Sequence, residues 1–397
     1  MSQESYSQEA TESFKFFESE TKKRKSSPLD EILSFSTSED TKMDGITFSD
    51  QNLNSSKPQL TVQQIQANIN ENIQQIPPWV DQKLFSVKYK SKNAYFHSEI
   101  LRFVDWIQMS DEELQKRYSL LSLLGNLIQA KIPETKAYMF GSTANRLAFA
   151  GSDIDVLIMN DDYGYSNLYN HVLQIIVESR EFDDIDDIRN TAVPIIQAKH
   201  IKTGICVDLV MNRDDGLKGL SLVTTLIKEF PELRPMYFVI KAFLKNKNLH
   251  KPYTGGIGSF VLINMITFYL QTHYKRVGDL NKRVFLQDHI IQFFSLYGRQ
   301  LRLKELGISI REGGFIFDKD DDCLKKENND RTVFRLCIEN PLEFFEDIGG
   351  QSRNITVIRK LFNFANDIIK FNLMKSNSFV QLIIPDMQRF KEYGDVE

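Results

Sequence analysis

Two aspartates two residues apart, Asp153 and Asp155, close the stretch Phe140-Gly141-Ser142-Thr143-Ala144-Asn145-Arg146-Leu147-Ala148-Phe149-Ala150-Gly151-Ser152-Asp153-Ile154-Asp155. At the start of a strand, such positions project to the same face. Two carboxylates held that close repel each other unless a cation lies between them. Magnesium suits the place, because it takes oxygen ligands and keeps positions open for substrate phosphates. Gly141-Ser142 follows the short apolar run Ala137 to Phe140 and precedes an expected helix. Glycine lets the backbone approach a triphosphate closely, while Ser142 and exposed amides offer donors to its oxygens. A third acid, Asp208, sits in the apolar run Ile205-Cys206-Val207-Asp208-Leu209-Val210, where a charge is costly unless it faces a site. Three acids in this order could hold two metal ions, one activating a primer hydroxyl and one steadying a leaving pyrophosphate. An isolated Asp-x-Asp is usually a turn or a solvated edge, and a lone Gly-Ser is weaker still. The ordered combination is far more specific.

The elements that must position these groups can be read from periodicity. Ile154 to Met159 and Ile205 to Met211 are strand-like, within a compact α/β stretch over 132–215. Ahead of it, a helical pattern runs from His97 to Lys131, broken at Ser110-Asp111-Glu112-Glu113, an N-cap with an acidic first turn. From Leu217 the pattern turns helical, as in Leu220 to Phe230, Tyr237 to Leu244 and Phe260 to Tyr269, with Gly-bearing loops such as Gly307 to Gly314 further on. The boundary between the two parts is placed at Asn212 to Gly216. No internal repeat is visible.

Residues 1–60 are rich in Ser, Glu, Thr and Lys, bury too little to offset their ordering entropy, and are expected to be disordered. Within them Lys22, Lys23, Arg24 and Lys25 form a basic cluster, equally readable as a nuclear-import signal or a solvated charge run. Val62, Ile65, Ile69, Ile73 and Ile76, ended by Pro77-Pro78, predict a short amphipathic helix that docks on the catalytic body or on a partner. Residues 61–96 hold this helix and a linker, and 97–131 the helices before the α/β stretch. No apolar run reaches 18 residues and no signal-peptide-like stretch opens the chain, so an intracellular protein with no membrane contact is expected. The cysteines Cys206, Cys323 and Cys337 are scattered and odd in number, against a disulfide framework or a zinc module. The first sixty residues carry seven Lys/Arg against eleven Asp/Glu, which accounts for the whole net charge of −4. The neutral remainder lacks the basic excess of a protein that grips nucleic acid alone. Any nucleic-acid contact must then come from a local groove or from a partner.

The ordered motif resembles the signature of the nucleotidyltransferases built on DNA polymerase β-like folds. The likeness extends to Pro252-Tyr253-Thr254-Gly255-Gly256-Ile257-Gly258-Ser259-Phe260, to Tyr297-Gly298-Arg299 with Gly307 to Gly314, and to Ile338-Glu339-Asn340-Pro341 with Glu346-Asp347-Ile348-Gly349. These segments resemble the non-canonical poly(A) polymerases and terminal uridylyltransferases, in particular the TRAMP-type nuclear poly(A) polymerases. The resemblance implies an α+β fold: a DNA polymerase β-like palm, with a mixed sheet and helices, plus a mostly helical central domain over 216–397. It implies template-independent addition of AMP or UMP from NTP to RNA 3′ ends with two Mg²⁺ ions, Mn²⁺ being the substitute. A helicase or RNA-binding protein partner is implied as well, and the nucleus is favoured over the cytoplasm.

By the same resemblance Asp153, Asp155 and Asp208 match the metal ligands, and Gly141 and Ser142 the triphosphate loop. Lys241 and Lys245, four apart on one helix face, match lysines that meet triphosphate oxygens. Ser259 matches a phosphate- or ribose-contacting serine. Phe260 stands where the family has tyrosine and can stack on the incoming base. Asn212 is read as a ribose contact, and Asn340 and Glu346 belong to the nucleotide-recognition segment. Three positions depart from the pattern: Arg146 for glycine, Gly350 for arginine, and Glu346 where uridylyl enzymes have histidine and adenylyl enzymes asparagine. A carboxylate there accepts from the adenine amino group or from uracil N3–H; the lean is towards AMP, with UMP close behind. Two other readings fit parts of the same sequence. One is a catalytically idle scaffold of an RNA-processing complex. The other is a polymerase on DNA or a cyclic-nucleotide or oligoadenylate synthase, disfavoured because the helical part resembles the RNA-tailing branch.

Overall fold

The computed structural model describes residues 77–80, 91–191, 193–278, 284–319 and 335–385. The tail 1–60 with its basic cluster and the helix at 62–76 lie outside the described residues. Two helices come first, α1 (Lys92–Ile107) and α2 (Asp111–Gln129). The break falls where the sequence puts it. Ser110 Oγ accepts from the Glu113 amide at 3.1 Å, and Asp111, Glu112 and Glu113 fill the first turn, meeting an orphan N–H and the positive helix end together.

Then follow β1 (Lys136–Phe140), the single-turn α3 (Gly141–Ala144), β2 (Ile154–Met159), α4 (Tyr165–Ser179), β3 (Phe182–Ile188), β4 (Ile195–His200) and β5 (Cys206–Met211). The five strands form one mixed sheet in the order β1-β2-β5-β4-β3; β2 and β5 run parallel, and the other three pairs antiparallel. Side-chain alternation makes this sheet two-faced. Ile154, Val156 and Ile158 of β2 join Val207, Leu209 and Met211 of β5 in a core with Leu120, Leu124 and Ile128 of α2 and Leu168, Val172 and Ile176 of α4. The residues between them, Asp155 and Asp208 included, therefore face the other way. β3 ends the sheet with exposed Asp183, Asp184 and Asp186 and a register shift between Asp183 and Asp186. Charge and irregularity of this kind stop an open edge from recruiting another strand.

The rest is mostly helical: α5 (Asp215–Glu229), α6 (Leu233–Asn246), α7 (Ser259–Val277), α8 (Leu286–Ser295), the hairpin β6 (Leu306–Ser309) and β7 (Phe315–Asp318), α9 (Ile355–Asn372) and α10 (Phe379–Ile383). Helix α6 is central, with Met236 through Ile240 and Ala242 through Leu244 all buried, as expected of a helix covered on nearly every side. Lys241 and Lys245 interrupt that apolar surface. Helix α1 packs on α6, α8 and α10, whereas α2 packs on β1 and α4.

A buried acid joins the two ends of this body. Glu99 of α1 accepts from the Ser378 hydroxyl, from the Phe379 amide at 2.8 Å and from the Val380 amide at 3.3 Å. It thereby supplies acceptors to the first turn of α10, whose own N–H groups have no helical partner. Burial pushes its carboxyl up to about 7, against the pull of those hydrogen bonds. Glu99→Ala would strand several buried donors, so unfolding in denaturant should show a loss of about 3 kcal/mol, with Glu99→Gln losing less. Equal stability of Glu99→Ala and the parent would contradict this role.

Candidate active site

The face of the sheet opposite that core carries the acids. Asp155 and Asp208 are direct partners across the parallel β2–β5 pair, so their Cα atoms lie about 5 Å apart. Asp153 precedes β2 at the rim and is the most exposed of the three. Two contacts fix its loop. Arg117, buried on α2, donates to the Ser152 carbonyl at 2.5 Å and pairs with Glu113 at 2.7 Å. Glu113 in turn accepts from the Gly151 amide at 2.9 Å. Gln197 on β4 holds Asp208 by donating to Oδ1 at 2.9 Å.

The loop after β1 closes over this pair. Gly141 has φ +68°, and a Cβ there would overlap the Asp155 carboxylate, with Cγ only 2.8 Å away. Backbone and acid can come that close only because residue 141 lacks a side chain. Thr143 Oγ1 donates to the Asp153 carbonyl at 3.2 Å, and the Leu147 amide to the Ser142 carbonyl at 2.8 Å. The turn is thus registered to the acids from both sides.

Charge explains the character of the site. Burial pushes Asp155 up to about 7, reinforced by the charges of Asp208 and Asp153. Asp208 rises to about 6 through burial and Asp153, opposed by the Gln197 hydrogen bond. Burial also raises Asp153, but Lys251, Arg117 and Lys245 pull it back. A cationic wall faces this rim. Lys241 donates to the His250 carbonyl at 3.1 Å, and burial, then Lys245, lowers it to about 7. Lys245 lies over the Phe149 ring at 5.3 Å; burial, then Lys251, lowers its pKa, while Asp153 opposes. His250 is held down to about 4 by burial and by Lys241, Lys245 and Lys251, so it stays neutral. Oxygen-only acids that resist ionisation together, opposite amines that resist protonation together, fit a hard divalent cation and a polyanion. Among the described residues no group of three or more acid, imidazole or thiol side chains is arranged to hold a metal ion by itself. An open arrangement is what magnesium needs when substrate phosphates complete its shell.

The remaining expected residues divide. Ser259 opens α7 and accepts from the Tyr237 hydroxyl at 3.0 Å. Tyr237, raised to about 12 mainly by burial, also feels the charge of Asp155, which ties Ser259 to the site. Phe260 follows it, half-buried. Asn340 and Glu346 meet each other: the Asn340 amide donates to the Glu346 carbonyl at 2.7 Å, and Asn340 Nδ2 to Glu346 Oε2 at 2.6 Å. Leu342 between them leans on α5, its Cδ1 3.9 Å from where a Cβ of Gly219 would stand.

Asn212 needs correcting. Its side chain accepts from the Asn160 amide at 2.9 Å and donates to the carbonyls of Asn160 and Tyr163 at 3.0 and 2.8 Å. It closes the far end of β2 and β5, about 13 Å along the strand from Asp208, and is not placed to touch a ribose. Lys251, His250 and Arg117 were missed. Lys251 directly precedes the Pro252 to Phe260 motif, which was a usable signal. Arg117, four residues after Glu113, reads in sequence as an ordinary solvated helix pair.

Comparison with known proteins follows the same lines. Residues 96–228 match the family model described as "Poly(A) RNA polymerase, mitochondrial-like, central palm domain", and residues 286–344 the model described as "Cid1 family poly A polymerase". The chain is 28% identical over 286 residues to Poly(A) RNA polymerase cid14 of Schizosaccharomyces pombe, covering 70% of this chain and 41% of that one. It is 27% identical over 304 residues to Poly(A) RNA polymerase protein 1 of Saccharomyces cerevisiae, covering 76% and 47%. It is 26% identical over 306 residues to the inactive non-canonical poly(A) RNA polymerase protein Trf4-2 of Drosophila melanogaster, covering 75% and 73%. The chain thus spans less than half the length of the first two. Among solved structures, the polymerase core of TRAMP, an RNA surveillance complex, superposes with a TM-score of 0.65 at 24% identity, over 80% of this chain and 96% of that one. The Cid1 poly(U) polymerase with Mg 3′-dATP bound gives 0.61 at 19%, over 70% and 94%. These likenesses establish the fold as α+β, of the DNA polymerase β type.

Proposed function

Because this chain belongs to the family of non-canonical poly(A) polymerases and terminal uridylyltransferases, we propose that it adds nucleotides to RNA 3′ ends without a template. The observation that carries this reading is the pairing of Asp155 with Asp208 across β2 and β5, with Asp153 at the rim and Lys241, Lys245 and Lys251 opposite. In this reading Asp153, Asp155 and Asp208 hold two Mg²⁺ ions, for which Mn²⁺ can substitute. Bound metal would activate the primer hydroxyl and steady the leaving pyrophosphate. Gly141 lets the backbone reach the triphosphate, and Ser142 and Ser259 offer it hydroxyl donors. Lys241 and Lys245 oppose its charge. Lys241, lowered to about 7, is raised again as phosphate enters, so binding takes up protons above neutral pH. Phe260 lies under the base.

Base choice rests on the Asn340–Glu346 clasp. Asn340 occupies Glu346 Oε2, which leaves Oε1 to accept from the adenine amino group or from uracil N3–H. AMP is the favoured substrate and UMP the alternative. Delivery of RNA by a helicase or RNA-binding partner, and work in the nucleus, belong to the same proposal. The test incubates purified protein with Mg²⁺, labelled single-stranded RNA and each NTP alone. A ladder with ATP supports adenylyl transfer, and one with UTP makes the chain a uridylyltransferase. No extension with any nucleotide, even after cell extract is added, points to the idle scaffold, the state that the Drosophila relative's name describes.

A further inference from the structure

Between Asn340 and Glu346 the chain makes a loop whose tip no part of the site described above uses. Phe344 and Phe345 stand on it, 40% and 44% exposed, their ring centroids 6.2 Å apart at an interplanar angle of 46°. Two large rings side by side in water are an unusual expense for a loop tip, and this loop holds them firmly. Arg311 lies beneath, its Cζ 3.5 Å from the Phe344 ring centroid, while its Nη2 donates to the Asn340 carbonyl at 3.0 Å. Phe345 adopts φ +66°, a left-handed conformation that a bulky residue keeps only where its surroundings enforce it. The surroundings here are the two Asn340–Glu346 hydrogen bonds and the Leu342 amide donating to Asn340 Oδ1 at 3.0 Å.

We propose that Phe344 and Phe345 form a stacking platform for a base of the RNA strand. This rests on the reading of the chain as an RNA-tailing enzyme and extends the same site outwards. Three observations select the occupant. First, the loop adjoins the site: Leu342 leans on α5, and α5 contacts the triphosphate turn, where Thr224 Oγ1 donates to Asn145 Oδ1 at 3.2 Å. Second, a guanidinium stacked under an aromatic ring extends the planar surface that nucleobases stack on. Third, the exposed carboxylates of Glu343 and Glu346 flank the rings. They repel phosphate but accept hydrogen bonds from base amino and imino groups. The loop therefore presents itself to the base side of a single strand and not to its backbone.

Equilibrium binding of fluorescent single-stranded RNA to the full chain, read by anisotropy, tests this without needing catalysis. Phe345→Gly keeps the positive φ and removes only the ring; Phe344→Leu keeps apolar contact with Arg311. The double variant should bind RNA roughly tenfold more weakly or worse, and Phe345→Trp should bind like the parent. On an RNA whose 3′-terminal bases are abasic, parent and double variant should bind alike. Unchanged affinity in the double variant, or an equal loss on abasic RNA, overturns the proposal and points to a protein partner as the occupant. A parent that binds RNA through these rings but extends it with no nucleotide would sink the enzymatic reading while leaving the platform standing.

Discussion

Replacing Asp155 by asparagine should abolish nucleotide addition and, in the absence of metal, raise the melting temperature at pH 8. The first effect follows from its position. Asp155 is the most enclosed of the three acids, paired with Asp208 and pressed against Gly141. An amide there cannot neutralise a divalent cation, and losing transition-state charge stabilisation of about 4 kcal/mol lowers the rate on the order of a thousandfold. The second effect follows from linkage. The carboxyl titrates at about 7 in the folded chain against 3.8 in the unfolded one. A raised acid favours the folded state fully below the unfolded value, and that contribution is lost as pH rises from about 4 through 7. At pH 8 the parent holds a charge its surroundings resist, which asparagine relieves; near pH 4 the two should melt alike. Added Mg²⁺ should stabilise the parent at pH 8 and leave Asp155→Asn unmoved. Thermal melts across pH, with and without Mg²⁺, read all of this. A variant that melts lower than the parent at pH 8 would show that the acid cluster carries no such strain.

Gly141→Ala should be nearly as damaging, through shape alone. With φ at +68° the added methyl costs about 1–2 kcal/mol of backbone strain before it meets anything. It then meets the Asp155 carboxylate, which must swing away from its partner Asp208. The variant should keep its fold, lose several degrees of melting temperature, and lose at least about a hundredfold in kcat, since displacement of a reacting group by an ångström costs that much. Ser142→Ala removes one hydroxyl donor without touching the backbone and should chiefly raise KM for NTP. If both variants lost the same modest amount, the close approach of residue 141 to the acid would have no catalytic meaning.

What could be read from the sequence, and what could not, follows from the distance over which each signal acts. The apolar run Ile154 to Met159, broken only by Asp155, is enough to give β2, and with it the shared face of Asp153 and Asp155. That Asp208 is the register partner of Asp155 is a pairing across 53 positions, and no local pattern encodes it. β3 was invisible because Phe182-Asp183-Asp184-Ile185-Asp186-Asp187-Ile188 is written to discourage strand pairing at an edge. Asn212 misled because adjacency in sequence suggested adjacency in space, whereas an extended strand carries the chain away from Asp208 at about 3.3 Å per residue. Lys251 and Arg117 act through loops that fold back, and such closures leave no periodicity. The bond between Asn340 and Glu346 is of the same kind. The motif named both residues but could not say that they hold each other.

One connection described above constrains where the acids can sit. Helix α1 is embedded among α6, α8 and α10, and α2 lies on the sheet, with only residues 108–110 between them. Together with the passage from β5 into α5, the chain crosses from sheet to helical body twice. The helix that leaves the sheet, α5, stays against α3 and β1 while also contacting α6. The arm of α1 and α2 thus bridges the two parts directly, and through Arg117 on the Ser152 carbonyl it fixes the loop that carries Asp153. The position of the acids is set by a segment that precedes the chemistry in the chain and contributes no reacting atom to it.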